Sequence, residues 1–405
     1  MFCFQCQETA RNTGCTVRGV CGKPETTSNL QDLLIFVLKG IAIYSEKMKK
    51  LGHADRTHAN FVIQGLFATI TNTNWDDERF VALVQEALQH KDELQTQFLT
   101  LYEEKQGRSY QGQLPEAATW STDDPAEFAA KAPSVGILTT ADEDVRSLRE
   151  LLIIGVKGIA AYVHHAAVLG YRNEAIEDFI IEALASTTKE LNVDEMLSLV
   201  MRAGEMAVAA MALLDEANTS TYGHPVMTEV YIGVRRNPGI LVSGHDLKDL
   251  EELLKQTAGT GIDVYTHGEM LPANYYPALK NYDHLAGNYG GSWWHQNQEF
   301  ESFNGPILMT TNCLVPLRAS NSYLDRLFTT GVVGYEGATH IADAPEGGTK
   351  DFSAIIEKAK QCEPPTQIES GKILGGFAHN QVLSLADQVV AAVQSGAIKR
   401  FVVMA

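Results

Sequence analysis

The feature that most constrains how this chain can fold is an internal repeat. Residues 30–52 open L-Q-D-L-L-I-F-V-L-K-G-I-A-I-Y and end in Leu51-Gly52, and residues 148–170, displaced by 118, open L-R-E-L-L-I-I-G-V-K-G-I-A-A-Y and end in Leu169-Gly170. The same offset pairs Phe61 with Phe179, Thr69 with Thr187, Asn74 with Asn192 and Asp76 with Asp194. A register shared over two segments argues for a duplicated unit. Two unrelated amphipathic helices would not share the Lys-Gly-Ile-Ala-x-Tyr core, which amphipathicity does not dictate. Leu30, Leu33, Leu34, Val37, Leu38 and Ile41 recur at three- and four-residue steps, so each unit is helical. Ser28 with Gln31 has capping-box spacing, and Gly52 is placed to stop the helix. Further amphipathic runs near 59–71, 76–104, 174–187 and 193–215 make residues 25–220 two successive helical bundles.

After Tyr222 the pattern changes. Short apolar runs at 240–243, 262–266, 307–311 and 332–335 alternate with helical stretches at 246–258, 272–282 and 351–361, the signature of βα units on a mainly parallel sheet. Glu363-Pro364-Pro365 reads as a linker. A strand at 372–374, a helix at 381–394 and a strand at 401–404 then read as the start of a second α/β domain. The expected division is 1–224 helical, 225–365 α/β, and 366–405 the beginning of a further α/β domain. A parallel strand needs partners on both edges and faces, so the chain reads as interrupted there.

At 405 residues the chain predicts two or three domains. Its formal charge of −18 opposes phosphate backbones and anionic lipid, which argues against nucleic-acid and membrane partners. No apolar run is read as long enough to cross a bilayer, and the first residues lack the pattern of a secretory signal, so a cytoplasmic location is expected. Four of the six cysteines fall within the first 21 residues. A disulfide framework would spread them, whereas clustered thiols in a reducing compartment point to a metal.

Cys3, Cys6, Cys15 and Cys21 follow a Cys-x2-Cys-x8-Cys-x5-Cys spacing. Thiolates are soft ligands suited to iron–sulfur clusters and zinc. Structural zinc more often uses two Cys-x2-Cys knuckles and only one is present, so iron–sulfur comes first and zinc stays open. A second constellation lies where ligands bind in open parallel sheets, beyond the carboxyl ends of strands. His245 follows 240–243, Glu269 follows 262–266 and Cys313 follows 307–311. Each has a plainer reading: a loop-turn histidine, a helix-capping glutamate, a small core cysteine. Their common position favours a shared centre, and mixed nitrogen, oxygen and sulfur ligation suits redox-active iron better than zinc. The segment 288–294, with its two tryptophans, reads as a Gly-rich turn before buried aromatics, His164-His165 as a solvated face, and Cys362 as a bystander.

The opening Met-Phe-Cys-Phe-Gln-Cys-Gln-Glu-Thr-Ala, with Gly14-Cys15-Thr16 and Val20-Cys21-Gly22-Lys23, and the later stretches 243–250 and 265–272 resemble the hybrid-cluster (prismane) protein family from end to end. The resemblance implies two three-helix bundles followed by two Rossmann-like α/β domains. It implies a 4Fe-4S cubane on Cys3, Cys6, Cys15 and Cys21, and a buried hybrid 4Fe-2O-2S cluster with His245, Glu269 and Cys313 among its ligands. Further ligands would come from beyond Ala405. The implied activity is two-electron reduction of hydroxylamine to ammonia and water. Electrons are expected from a partner protein, and His267 and Glu269 are candidate proton carriers beside the site. Nitric oxide reduction is the alternative within the family, a nickel carbon monoxide dehydrogenase a second, and an electron carrier using only the N-terminal cysteines a third.

Overall fold

The computed structural model describes residues 1–54, 56–345 and 347–403. The chain divides into two compact units, one comprising 1–217 and 309–345, the other 218–308 and 346–405.

The first unit carries the repeat as two successive sets of three long helices: α1 (Glu25–Lys50), α2 (Thr57–Ala68) and α3 (Asp77–Gln106), then α6 (Glu143–Val168), α7 (Glu174–Ser186) and α8 (Val193–Tyr222) up to residue 217. Two single-turn helices, α4 (Glu116–Thr119) and α5 (Phe128–Lys131), lie between the sets. The apolar stripe read from sequence is the core face: Leu33, Leu34, Val37, Leu38 and Ile41 are fully buried, each contributing about 1.5–3 kcal/mol. Asp76, Asp142 and Asn173 accept backbone amides at the starts of α3, α6 and α7. The capping box expected at Ser28 does not form. The helix begins three residues earlier, behind Pro24, and the Gln31 side-chain oxygen Oε1 accepts from Lys23 Nζ at 2.7 Å. Gly52 does end α1, at φ 80°.

The expectation that no apolar run could cross a bilayer fails on length and composition for α6 and α8. In α6 the charges crowd the first two turns and leave only Lys157 in the remainder. That remainder also packs inward, through Leu152, Val156, Ile159, Ala160 and Val163.

The same unit holds the parallel pairs β1 (Asn74–Trp75) with β8 (Gly334–Tyr335) and β7 (Leu327–Thr330) with β9 (Thr339–Ile341). The strand read at 332–335 is therefore only the short β8.

In the second unit, β2 (Thr228–Tyr231) precedes β3 (Gly239–Ser243), α9 (Leu247–Thr257), β4 (Asp263–His267), α10 (Pro277–Lys280), β5 (Leu285–Asn288), α11 (Gln296–Phe303) and β6 (Ile307–Met309). The order within this unit runs β5-β4-β3-β6, with β3–β4 and β4–β5 parallel, as the βα alternation predicts. Every residue of β3 and β4 is buried, which explains the apolar run of β3, while β4 also buries Asp263, Thr266 and His267. The helix expected over 272–282 is instead a 3-10 stretch, Gly268–Tyr275, followed by the single turn α10. Pro272 and Pro277 remove the amides a continuous helix would need. After α12 (Ser353–Ala359), β10 (Lys372–Gly375) pairs antiparallel with β2, and α13 (His379–Ser384) and α14 (Ala386–Gln394) follow. Residues 401–403, part of the strand read at 401–404, are exposed and not in a strand, and Met404 lies outside the described residues.

Candidate metal centres

The four N-terminal cysteines are gathered in one irregular loop. Cys3 and Cys15 face each other across an antiparallel bridge, Cys3 N–H to Cys15 O at 3.0 Å and the return bond at 2.8 Å. Cys6 opens a turn closed by the Thr9 amide at 3.2 Å, and Cys21 lies in the turn where Gly22 N–H reaches Gly19 O at 2.9 Å. A side chain at position 19 would begin 3.0 Å from Cys21 Sγ, so the glycine leaves room at that sulfur.

The electrostatics suit thiolate ligation. Burial pushes the Cys6 thiol up, an amide hydrogen bond opposes it, and the charges of Cys21, Cys3 and Cys15 raise it further, so the four sulfurs feel one another. For Cys15 burial also acts upward, but the Ala10 and Val20 amides, the Thr9 hydroxyl and Lys23 together hold it below the usual thiol range. The Ala10 amide lies 3.4 Å from Cys15 Sγ. Mutual repulsion that a proton or a cationic centre would relieve, with amides aimed at a sulfur, suits the donor set of an iron–sulfur or zinc site. All four cysteines are unbridged.

In the second unit, His245 and Glu269 follow the carboxyl ends of adjacent strands, β3 and β4. His245 is exposed and directly precedes Asp246, which caps α9 through the Lys248 and Asp249 amides at 2.9 and 3.0 Å. Glu269 sits in the first turn of the 3-10 stretch, whose cap position is His267, so the helix-cap alternative does not hold. Its Oε2 is buried with no hydrogen-bond partner among the described residues. A buried carboxylate oxygen left unpaired is costly, and a cation is what such an atom lacks.

Cys313 belongs to the first unit. It is half-buried, adopts φ 75°, and receives Asn312 Nδ2 at 3.7 Å from its sulfur. A left-handed backbone at a non-glycine residue costs about 1–3 kcal/mol and persists where the surroundings impose it, commonly at functional positions.

The partners of His267 come from distant parts of the sequence. Its fully buried ring is held on both nitrogens, Nδ1 3.1 Å from Ser243 Oγ and Nε2 2.8 Å from Glu299 Oε2. Glu299 Oε1 in turn accepts the Gly291 amide at 3.0 Å. Glu299 lies 32 residues beyond His267 on α11, and no local pattern announces the pairing. A second unread group lies in the first bundle, where donor atoms of His58, His90 and Glu93 fall within 4.8 Å of one another. His164 and His165, expected on a solvated face, are half-buried with their ring edges against Phe67. The aromatics expected to be buried after the Gly-rich turn are not: Trp293 is half-buried and Trp294 exposed, and it is Tyr289, before the turn, that is buried.

Comparison with known proteins adds what geometry does not. The Prismane/CO dehydrogenase family matches residues 1–405. A protein named hydroxylamine reductase from Nitratidesulfovibrio vulgaris (strain Hildenborough) is 71% identical over 405 residues, covering 100% of this chain and 73% of that one. Its namesake from Desulfosudis oleivorans is 66% identical over 407 residues, again 100% and 73%. Among solved structures, carbon monoxide dehydrogenase IV from Carboxydothermus hydrogenoformans aligns at a TM-score of 0.42 and 15% identity, using 96% of this chain and 59% of that one. With a match spanning every residue and relatives this similar, the chain belongs to the Prismane/CO dehydrogenase family.

Proposed function

We propose that the chain reduces hydroxylamine, with two electrons and two protons, to ammonia and water. The observation that carries this reading is the 71% identity over the whole chain to a relative named for that reaction. The proposed ligands are Cys3, Cys6, Cys15 and Cys21 for a 4Fe-4S cluster, and His245, Glu269 and Cys313 for a hybrid 4Fe-2O-2S cluster. These groups would supply the electron transfer and an open iron position, while the protein contributes ligation, burial and protons. The orphaned Glu269 Oε2 and the left-handed Cys313 suit residues shaped by a ligation task. Held between Ser243 and Glu299, the His267 ring can take a proton at one nitrogen and release it at the other. Electrons would arrive from a protein donor in a reducing cytoplasm, entering at the N-terminal cysteines.

Glu269→Gln and His245→Ala should each lower hydroxylamine turnover by about 100-fold or more, since loss of a mere outer-shell partner already costs about 10–100-fold, and leave the paramagnetic resonance of the N-terminal cluster unchanged. Wild-type turnover in both variants, measured on anaerobically prepared protein, would remove these residues from the reaction. Turnover lost together with the N-terminal signal would point instead to misfolding.

A further inference from the structure

The repeated helices build a feature that neither group of proposed ligands uses. Within the first unit, a cavity of about 320 Å³ is lined by Asp32 and Lys39 of α1 and by Arg149, Glu150 and Lys157 of α6. The 118-residue offset relates Asp32 to Glu150 and Lys39 to Lys157. Seven residues, about two helical turns, separate acid from base on each helix, so each pair lies along one face. The duplication has brought two acid–base pairs to one space.

Opposite charges lining one cavity would be expected to pair, and these do not. Among the described residues, Asp32, Lys39 and Glu150 make neither a hydrogen bond nor an ion pair. Lys157 Nζ donates to Gln5 Oε1 at 3.3 Å. Arg149 donates from Nη1 to Thr140 Oγ1 at 3.3 Å and from Nη2 to Lys189 O at 2.9 Å, while its buried Nε has no partner. An uncompensated buried donor of this kind is uncommon in a folded protein.

The titration behaviour agrees with the geometry. Burial pushes the Asp32 carboxyl up to about 7 against the pull of Lys157, and burial likewise raises Glu150. Burial also lowers both lysines, Lys157 to about 8. Burial thus draws the acids and the lysines alike toward their uncharged forms, while Arg149 stays cationic. Glu116, also on the wall, is paired with Lys131, so Arg149 is the fixed, unneutralised charge of the cavity, although the chain as a whole is strongly acidic.

We propose that this cavity binds a small anion, a carboxylate or an inorganic oxyanion, through Lys39, Arg149 and Lys157. Ile35, Phe36 and Ile153 on the walls leave space for a short carbon skeleton. The site does not depend on the proposed hydroxylamine reduction, and its test does not read that activity.

Calorimetric titration of the iron-loaded chain with malonate, and separately with sulfate, at constant ionic strength tests the proposal. Saturable binding of either probe is expected, weakened about 10-fold or more by Lys39→Gln and by Arg149→Gln, the loss expected for a hydrogen bond to a charged group. Asp32→Asn should tighten binding, because it removes a competing carboxylate, and misfolding would not produce that opposite sign. Preference for malonate identifies an organic ligand, and equal binding of sulfate identifies recognition of the anionic group alone. Absence of saturation with both probes overturns the site. So does affinity unchanged in both weakening variants, or Asp32→Asn weakening binding as they do.

Discussion

Helices α1 and α6 descend from the same pattern and end in different surroundings. Tyr44 of α1 is fully buried and donates its hydroxyl to Ala118 O at 2.9 Å, whereas Tyr162, its counterpart on α6, is 41% exposed. Leu33 is fully buried and Leu151, its counterpart, is 53% exposed. The segment between the two sets of helices accounts for the difference. Its short helices α4 and α5 pack over α1, so that Gly40 lies against the Ala117 carbonyl, while among the described residues nothing beyond the helix's own backbone lies within 4 Å of where a side chain at Gly158 would begin. A repeated sequence therefore fixes a helix and its core stripe, but the cover laid on the far side decides which other residues become interior.

Three pairs of substitutions would break or sharpen this contrast. The largest gap is expected between Leu33→Ala, costing about 2–5 kcal/mol as a cavity in a packed core, and Leu151→Ala, costing less than about 1 kcal/mol. Equal losses in denaturant unfolding would mean that α6 is covered as α1 is. Next, Gly40→Ala should destabilise by about 1–3 kcal/mol, because the new methyl group meets backbone at Ala117, while Gly158→Ala should stabilise by about 0.5–1 kcal/mol through helix propensity. The opposite signs are the test, and a neutral Gly40→Ala would deny the close approach.

The smallest effect concerns the cavity acids, Asp32 on α1 and Glu150 on α6. A carboxyl raised in the folded state binds more protons folded than unfolded, so its contribution to stability falls as pH rises from about 4 toward 7 and is lowest above 7. Asp32→Asn should raise the melting temperature by a few degrees at pH 8 and change it little at pH 4. The Glu150→Gln change should follow the same direction. Melting temperatures shifted equally at both pH values would show that burial is not what raises these groups.

The α1 stripe, the βα alternation and the gathering of Cys3, Cys6, Cys15 and Cys21 were legible because each is carried by residues close in sequence or by strict periodicity. The Glu299–His267 pair was not, since its two members meet only when α11 packs beside β4. Nor was the partner of β10. A run at 372–374 announces a strand, but the pairing with β2 spans more than a hundred residues, and the antiparallel register comes from the strand it meets. Ser28 and Gln31 show the reverse failure, a correct local motif overridden by Lys23 taking the glutamine oxygen.

By itself the sequence determined the helical duplication, the parallel α/β region and the clustering of four cysteines in one loop, because spacing along a helix, a strand or a cysteine loop is a short-range property. Which side of a helix is covered, which carboxylate oxygen is left without a donor at Glu269, and which charges of the two repeats come to share one cavity were decided only by tertiary packing. Burial and the loss of solvent partners depend on chain segments that no local pattern brings together.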